Sequence, residues 1–284
     1  MQPETSMHFE KRALAFACEG DWLYGVLDVP AEPKRRGVLF VVGGPQYRAG
    51  SHRQFTLTAR SLAAQGYAAM RFDYRGMGDS EGEMRSFEEV GDDLRAAIDA
   101  FVAAVPGLEE VVLWGLCDAA SAATLYAASD ARVAGLALLN PWVRTEAGEA
   151  KATLRHYYGA RLRDPELWKK IASGRFGLRT AVGSLARLLG SAAAAPAPDA
   201  EGALPERMAG GLQRFSGPVL VMLSGADLTA QEFSGLCRAA PAWKRLLAEP
   251  RVTRKTLARA DHTCSQRVWQ DQVAQWTCEW MGKW

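Results

Sequence analysis

Apolar and polar positions along the chain fall into two regimes. Residues 13–18 (ALAFAC) and 23–29 (LYGVLDV) alternate in the strand period and are separated by Glu19-Gly20-Asp21, the pattern of an N-terminal β-hairpin. After that the strands become continuously apolar and regularly alternate with helical stretches. Strands are predicted at 37–42 (GVLFVV), 67–73, 110–115 (EVVLWG) and 133–139 (VAGLALL), with helices near 52–65, 87–104 and 118–129. The pattern resumes with a strand at 218–223 (PVLVML), a helix near 231–247, a strand at 251–257 and a closing helix near 266–281. Apolar strands alternating with helices predict an α/β protein, its mostly parallel sheet covered on both faces.

The segment 141–213 interrupts this order. It carries helical stretches at 147–158 and 164–172 and ends in the Ala/Pro-rich run SAAAAPAPDAEGALPE at 191–206, which predicts a loop. Its Trp142, Trp168, Tyr157 and Tyr158 need a surface to cover. The expected organisation is therefore a core of residues 1–140 and 214–284, with 141–213 inserted as a helical cap over the carboxyl edge of the sheet.

Composition narrows the function classes. The 284 residues are 48% hydrophobic, enough for a sizeable core, with no apolar run long enough for a bilayer span. Lys and Arg number 34 against 32 Asp and Glu, which excludes the strongly basic face of a nucleic-acid binder. A small-molecule or acyl-carrier partner fits better. The N-terminus MQPETSMHFEKR has no apolar leader stretch, so the expected compartment is the cytoplasm. Five cysteines, with no C-x-x-C spacing, read as reduced thiols. No metal or cofactor motif is present, and the oligomeric state is left open.

Chemistry concentrates at Trp114-Gly115-Leu116-Cys117-Asp118-Ala119-Ala120-Ser121, where an apolar strand runs directly into an alanine-rich helix. This is the setting of a nucleophile elbow, a tight strand-to-helix turn flanked by small residues, with cysteine in the nucleophile position and Ala119 where the last glycine is usual. A cysteine at a helix N-terminus gains from the free N–H groups and partial positive charge there, which favour the thiolate. The competing possibility is a buried packing cysteine on an inert elbow.

A nucleophile of this kind needs a base, and His262, between the strand 251–257 and the closing helix, is the leading candidate among four histidines. Of the others, His8 lies in the tail, His52 beside the first crossover and His156 in the cap. Asp227, in the loop after strand 218–223, is the expected acid partner of His262. Asp261 is a rival that would have to fold back onto its neighbour's imidazole. The order nucleophile, acid, base is that of a hydrolase elbow triad. Developing oxyanion charge needs N–H donors. The backbone of Asp118 is one candidate, and Gly44 or Gln46 the other, since Pro45 has no N–H. Arg48 and Arg53 in the same loop either hold a substrate carboxylate or phosphate or are solvated charges capping the next helix. The turn Asp73-Tyr74-Arg75-Gly76-Met77-Gly78-Asp79-Ser80 is read as structural, with Ser80 lacking the strand–helix context of a nucleophile.

The element order, the D-Y-R-G-x-G-x-S turn and the elbow resemble the α/β-hydrolase superfamily across almost the whole chain. More narrowly, GGPQYRAGSHRQF, GLCDAAS and GADLTAQEF resemble the exosortase A system-associated hydrolases of bacteria, which implies a genomic setting without a substrate. Cysteine at the elbow also resembles dienelactone hydrolases and polyhydroxyalkanoate synthases, whose G-x-C-x-G carries a Cys–Asp–His triad. That resemblance implies the same roles for Cys117, Asp227 and His262. The constellation and its relatives leave three expectations in order: hydrolysis of a small acyl ester or thioester, free or carrier-linked; acyl transfer to an acceptor other than water; and, if Cys117 is inert, a catalytically silent binding protein.

Overall fold

The computed structural model describes residues 9–44, 46–143 and 202–284. Strands β1 (Phe9–Cys18) and β2 (Asp21–Pro30) form the expected hairpin, closed by Glu19 and Gly20. Both turn residues have positive φ, 52° and 95°, which is the type I′ geometry that matches the twist of the flanking strands. The sheet continues through β3 (Arg36–Val41), β4 (Ala69–Phe72), β5 (Glu110–Leu116), β6 (Val133–Leu139), β7 (Val219–Ser224) and β8 (Val252–Leu257). Its order is β1-β2-β4-β3-β5-β6-β7-β8. The hairpin joins antiparallel through β2 and β4, and the pairs from β4 to β8 are all parallel.

Parallel strands need covered faces, and the helices supply them. Helices α1 (Gln54–Ala63), α2 (Gly91–Ala104), α3 (Asp118–Tyr126), α4 (Leu204–Arg214), α5 (Leu228–Ala239), α6 (Pro241–Ala248) and α7 (Arg267–Met281) sit between and after the strands. One core contains Leu39, Val41, Leu113, Leu138 and Val221, with Leu94, Ile98 and Phe101 of α2. The opposite core contains Val38, Phe40, Trp114 and Leu220, with Phe55 of α1 and Trp280 of α7. Alternate residues of the same strands thus feed opposite cores, which is why those strands are apolar throughout.

Two differences from the predicted elements have simple causes. The helix expected over 231–247 is two helices, α5 and α6, broken at Ala240, whose φ −89° and ψ 121° are extended. Pro241 disfavours a helical residue before it and opens the next helix at the position where its missing N–H costs nothing. Of the segment 141–213, residues 144–201 lie outside the described residues, and with them Trp168, Tyr157, Tyr158 and His156. Its final stretch is α4, which packs directly on α3, with Gly211 so close to the Thr124 carbonyl that a Cβ there would lie 2.6 Å from the oxygen. Among the described residues no helix is long and apolar enough to cross a membrane.

Candidate active site

β5 delivers the chain to Cys117 at the carboxyl edge of the sheet, and α3 begins at the next residue. Cys117 has φ 62° and ψ −124°, a strained backbone for a residue with a side chain. Its N–H donates to the Leu139 carbonyl at 2.9 Å and its carbonyl accepts from the Trp142 N–H at 3.1 Å, so the neighbouring strand end holds the turn from both sides. The turn is possible because its neighbours are small. A Cβ on Gly115 would lie 2.5 Å from the Ala119 backbone, and one on Gly43 would lie 2.7 Å from the Ala119 nitrogen. With glycine at both places, the methyl of Ala119 fits where the usual elbow has a further glycine.

His262 follows β8, and its Nδ1 lies 3.0 Å from Asp227 Oδ2. The approach is off the line of a well-formed hydrogen bond, a looseness common before substrate binds. Asp227 is buried and caps α5, accepting from the N–H groups of Thr229 at 3.3 Å and Ala230 at 3.0 Å. Those bonds fix the carboxylate's orientation. The other side of the His262 ring hydrogen-bonds Cys117. The Asp227 carboxylate first, then the Cys117 side chain, raise the His262 pKa to about 10 against the opposing effect of burial. The structure therefore brings Cys117, His262 and Asp227 together.

Asp261 does not join them, because its carboxylate turns back to the Ser265 N–H at 2.9 Å and to the Ser265 hydroxyl. Arg48 is engaged by carboxylates of the turn after β4. Its guanidinium pairs with Asp73 and, at 2.7 Å, with Asp79, and its own N–H donates to Asp73 at 2.7 Å. Those pairs tie the loop after β3 to the turn after β4. Arg53 is exposed at the start of α1 with φ 61° and no ion pair among the described residues. Ser80 pins its turn by donating to the Asp73 carbonyl at 2.5 Å and accepting from the Tyr24 N–H at 3.0 Å.

The three oxyanion-hole candidates have unequal surroundings. The Gln46 N–H turns inward to the Gly44 carbonyl at 2.8 Å. The Gly44 N–H points at the elbow, where it donates to Asp118 Oδ2 at 2.7 Å. The Asp118 carboxylate also accepts from the Ala119 N–H at 3.0 Å.

Asn140 is a site residue that sequence reasoning missed. Fully buried at the end of β6 with φ 48°, it donates through Nδ2 to Ser224 Oγ and the His262 carbonyl, each at 3.0 Å, and accepts the Ser224 N–H at 2.8 Å. One side chain thus ties the acid loop to the base loop. The available signal was an asparagine ending an apolar strand immediately before Pro141, where no solvated turn explains it. Ser121 is a second such residue, donating to the Trp142 carbonyl at 2.5 Å and securing the segment that leaves β6.

A mostly parallel eight-stranded sheet with an elbow after β5, an acid after β7 and a histidine after β8 is the α/β-hydrolase fold. The comparisons with known proteins agree on that fold. Residues 33–170, just under half of the chain, match the family model Hydrolase_4, described as serine aminopeptidase, S33. The chain is similar to an esterase of Pyrococcus furiosus, with a TM-score of 0.66 at 15% identity over 97% of this chain and 92% of that one. It is similar to the esterase domain of a Rhodothermus marinus protein, with a TM-score of 0.58 at 16% identity over 95% and 97%. It also resembles Est1E of Butyrivibrio proteoclasticus, solved with ferulic acid bound, with a TM-score of 0.60 at 15% identity over 95% and 100%. No curated protein matches the sequence. The matching family is described by serine chemistry, whereas the elbow here carries cysteine.

Proposed function

We propose that the protein hydrolyses an ester or thioester through an acyl-enzyme on Cys117. One observation carries the reading: a cysteine on a strained elbow, hydrogen-bonded to a histidine whose other side lies 3.0 Å from a buried, capping aspartate. Each part has a chemical task. His262 holds the proton taken from the thiol when the sulfur attacks the carbonyl carbon, and Asp227 stabilises that imidazolium. The tetrahedral intermediate collapses with the C–O or C–S bond breaking, and His262 returns its proton to the leaving alcohol or thiol. Water then attacks the thioester, giving its proton to His262. The acid departs as the Cys117 sulfur recovers a proton.

A raised imidazole pKa favours the proton resting on His262, so that attack starts from a sulfur that has already given its proton to the ring. The esterase names among the structural relatives support the same substrate class. The test is turnover of p-nitrophenyl esters and acyl thioesters by Cys117→Ala. A fall of about 10³-fold or more is expected for loss of an elbow nucleophile. Undiminished turnover would overturn the proposal.

A further inference from the structure

We infer that the Asp118 carboxylate is a built-in occupant of the oxyanion hole, which an incoming acyl carbonyl must displace. This rests on the reading of Cys117 as an acyl-transfer nucleophile. In an elbow of this type, the oxyanion is held by the N–H of the residue after the nucleophile and by an N–H of the loop after β3. Here those donors are Asp118 and Gly44, and the Gly44 N–H already points at a group in place, the Asp118 carboxylate. Its Oδ2 takes the Gly44 N–H at 2.7 Å. Its Oδ1 takes the Ala119 N–H at 3.0 Å, which holds the carboxylate at the start of α3. An anion on the Gly44 N–H occupies a donor that the oxyanion of a tetrahedral intermediate would need.

The surrounding residues make room for this arrangement. A Cβ on Gly43 would stand 2.1 Å from Asp118 Oδ1, so a side chain there would expel the carboxylate. Gly44 has φ +58°, a left-handed conformation that suits glycine. Asp118 also feels the charge of His262, and after burial its charge is the next contribution to raising the Tyr74 phenol to about 12. Asp118 is only half-buried, which leaves the side chain a direction in which to turn when displaced. Small activated esters, with little binding energy to spend on displacement, should therefore react slowly. Substrates with a larger bound portion can drive the side chain out.

The experiment compares the rate of Cys117 acylation by p-nitrophenyl acetate, read by intact mass, in the wild type, Asp118→Ala and Asp118→Asn, with Cys117→Ala as control. Because one oxyanion donor is worth on the order of 10²–10³ in rate, freeing the Gly44 N–H should accelerate acylation about tenfold or more in Asp118→Ala. The gain should be smaller in Asp118→Asn, which keeps an acceptor oxygen. An Asp118→Ala protein that is folded by circular dichroism but acylates no faster than wild type overturns the inference. If the alanine variant does not fold, the Gly44 amide proton decides: it should move upfield in Asp118→Asn as its anionic acceptor becomes neutral, and an unmoved resonance overturns the inference. Continued acylation in Cys117→Ala would defeat the nucleophile reading itself, an outcome separate from the response to Asp118.

Discussion

His262 links the electrostatics of the site to a measurable stability. Its pKa in the folded chain is raised to about 10 from an ordinary 6.5, so folding favours the protonated ring. For a raised pKa, the stabilisation is fully present below about 6.5 and is lost as pH rises through about 10. Urea midpoints measured across that window should fall with rising pH. In Asp227→Asn the largest cause of the shift is gone, so the slope should flatten and the His262 ring should titrate at lower pH by NMR. Acyl turnover should fall by about 10²–10⁴, because a misoriented imidazole is the usual cost of losing this carboxylate. A His262 titration unchanged by Asp227→Asn would show that the 3.0 Å approach does not hold the proton.

Among elements, the site depends on strand ends locked to one another, and Asn140 is the lock. Its side chain makes hydrogen bonds to Ser224 and to the His262 carbonyl from inside the protein. Asn140→Ala would strand the Ser224 N–H and lower stability by about 2–3 kcal/mol in urea unfolding. It should also reduce kcat more than it changes KM, because the His262 loop loses its tether while the substrate surface stays. The elbow makes a steric prediction. Gly115→Ala places a methyl 2.5 Å from the Ala119 backbone and should cost about 1–3 kcal/mol or more, read by the same unfolding measurement.

These elements also show where sequence reading succeeds and where it stops. Cys117, His262 and Asp227 could be picked out because each follows a strand whose apolar run is unmistakable, so topology alone brings them to one sheet edge. The break at Ala240 was missed because apolar periodicity continues through Pro241. Asn140 could not be assigned a role because its partners lie 84 and 122 residues away. The ion pairs of Arg48 were hidden for a similar reason, its partners Asp73 and Asp79 belonging to a different loop.

At the scale of the whole molecule, the fold sets one thiol apart from the other four. Burial pushes Cys18, Cys264 and Cys278 up to about 11 and Cys237 up to about 12, which keeps them protonated and poorly reactive. Cys117 alone among the five stands on the elbow beside His262. Intact mass followed by peptide mapping, after brief exposure to an activated acyl donor, reads this directly. One acyl group on Cys117, absent in Cys117→Ala and slowed in His262→Ala, is the result the account predicts. An acyl group that persists in Cys117→Ala, or that spreads evenly over the other cysteines, would contradict it.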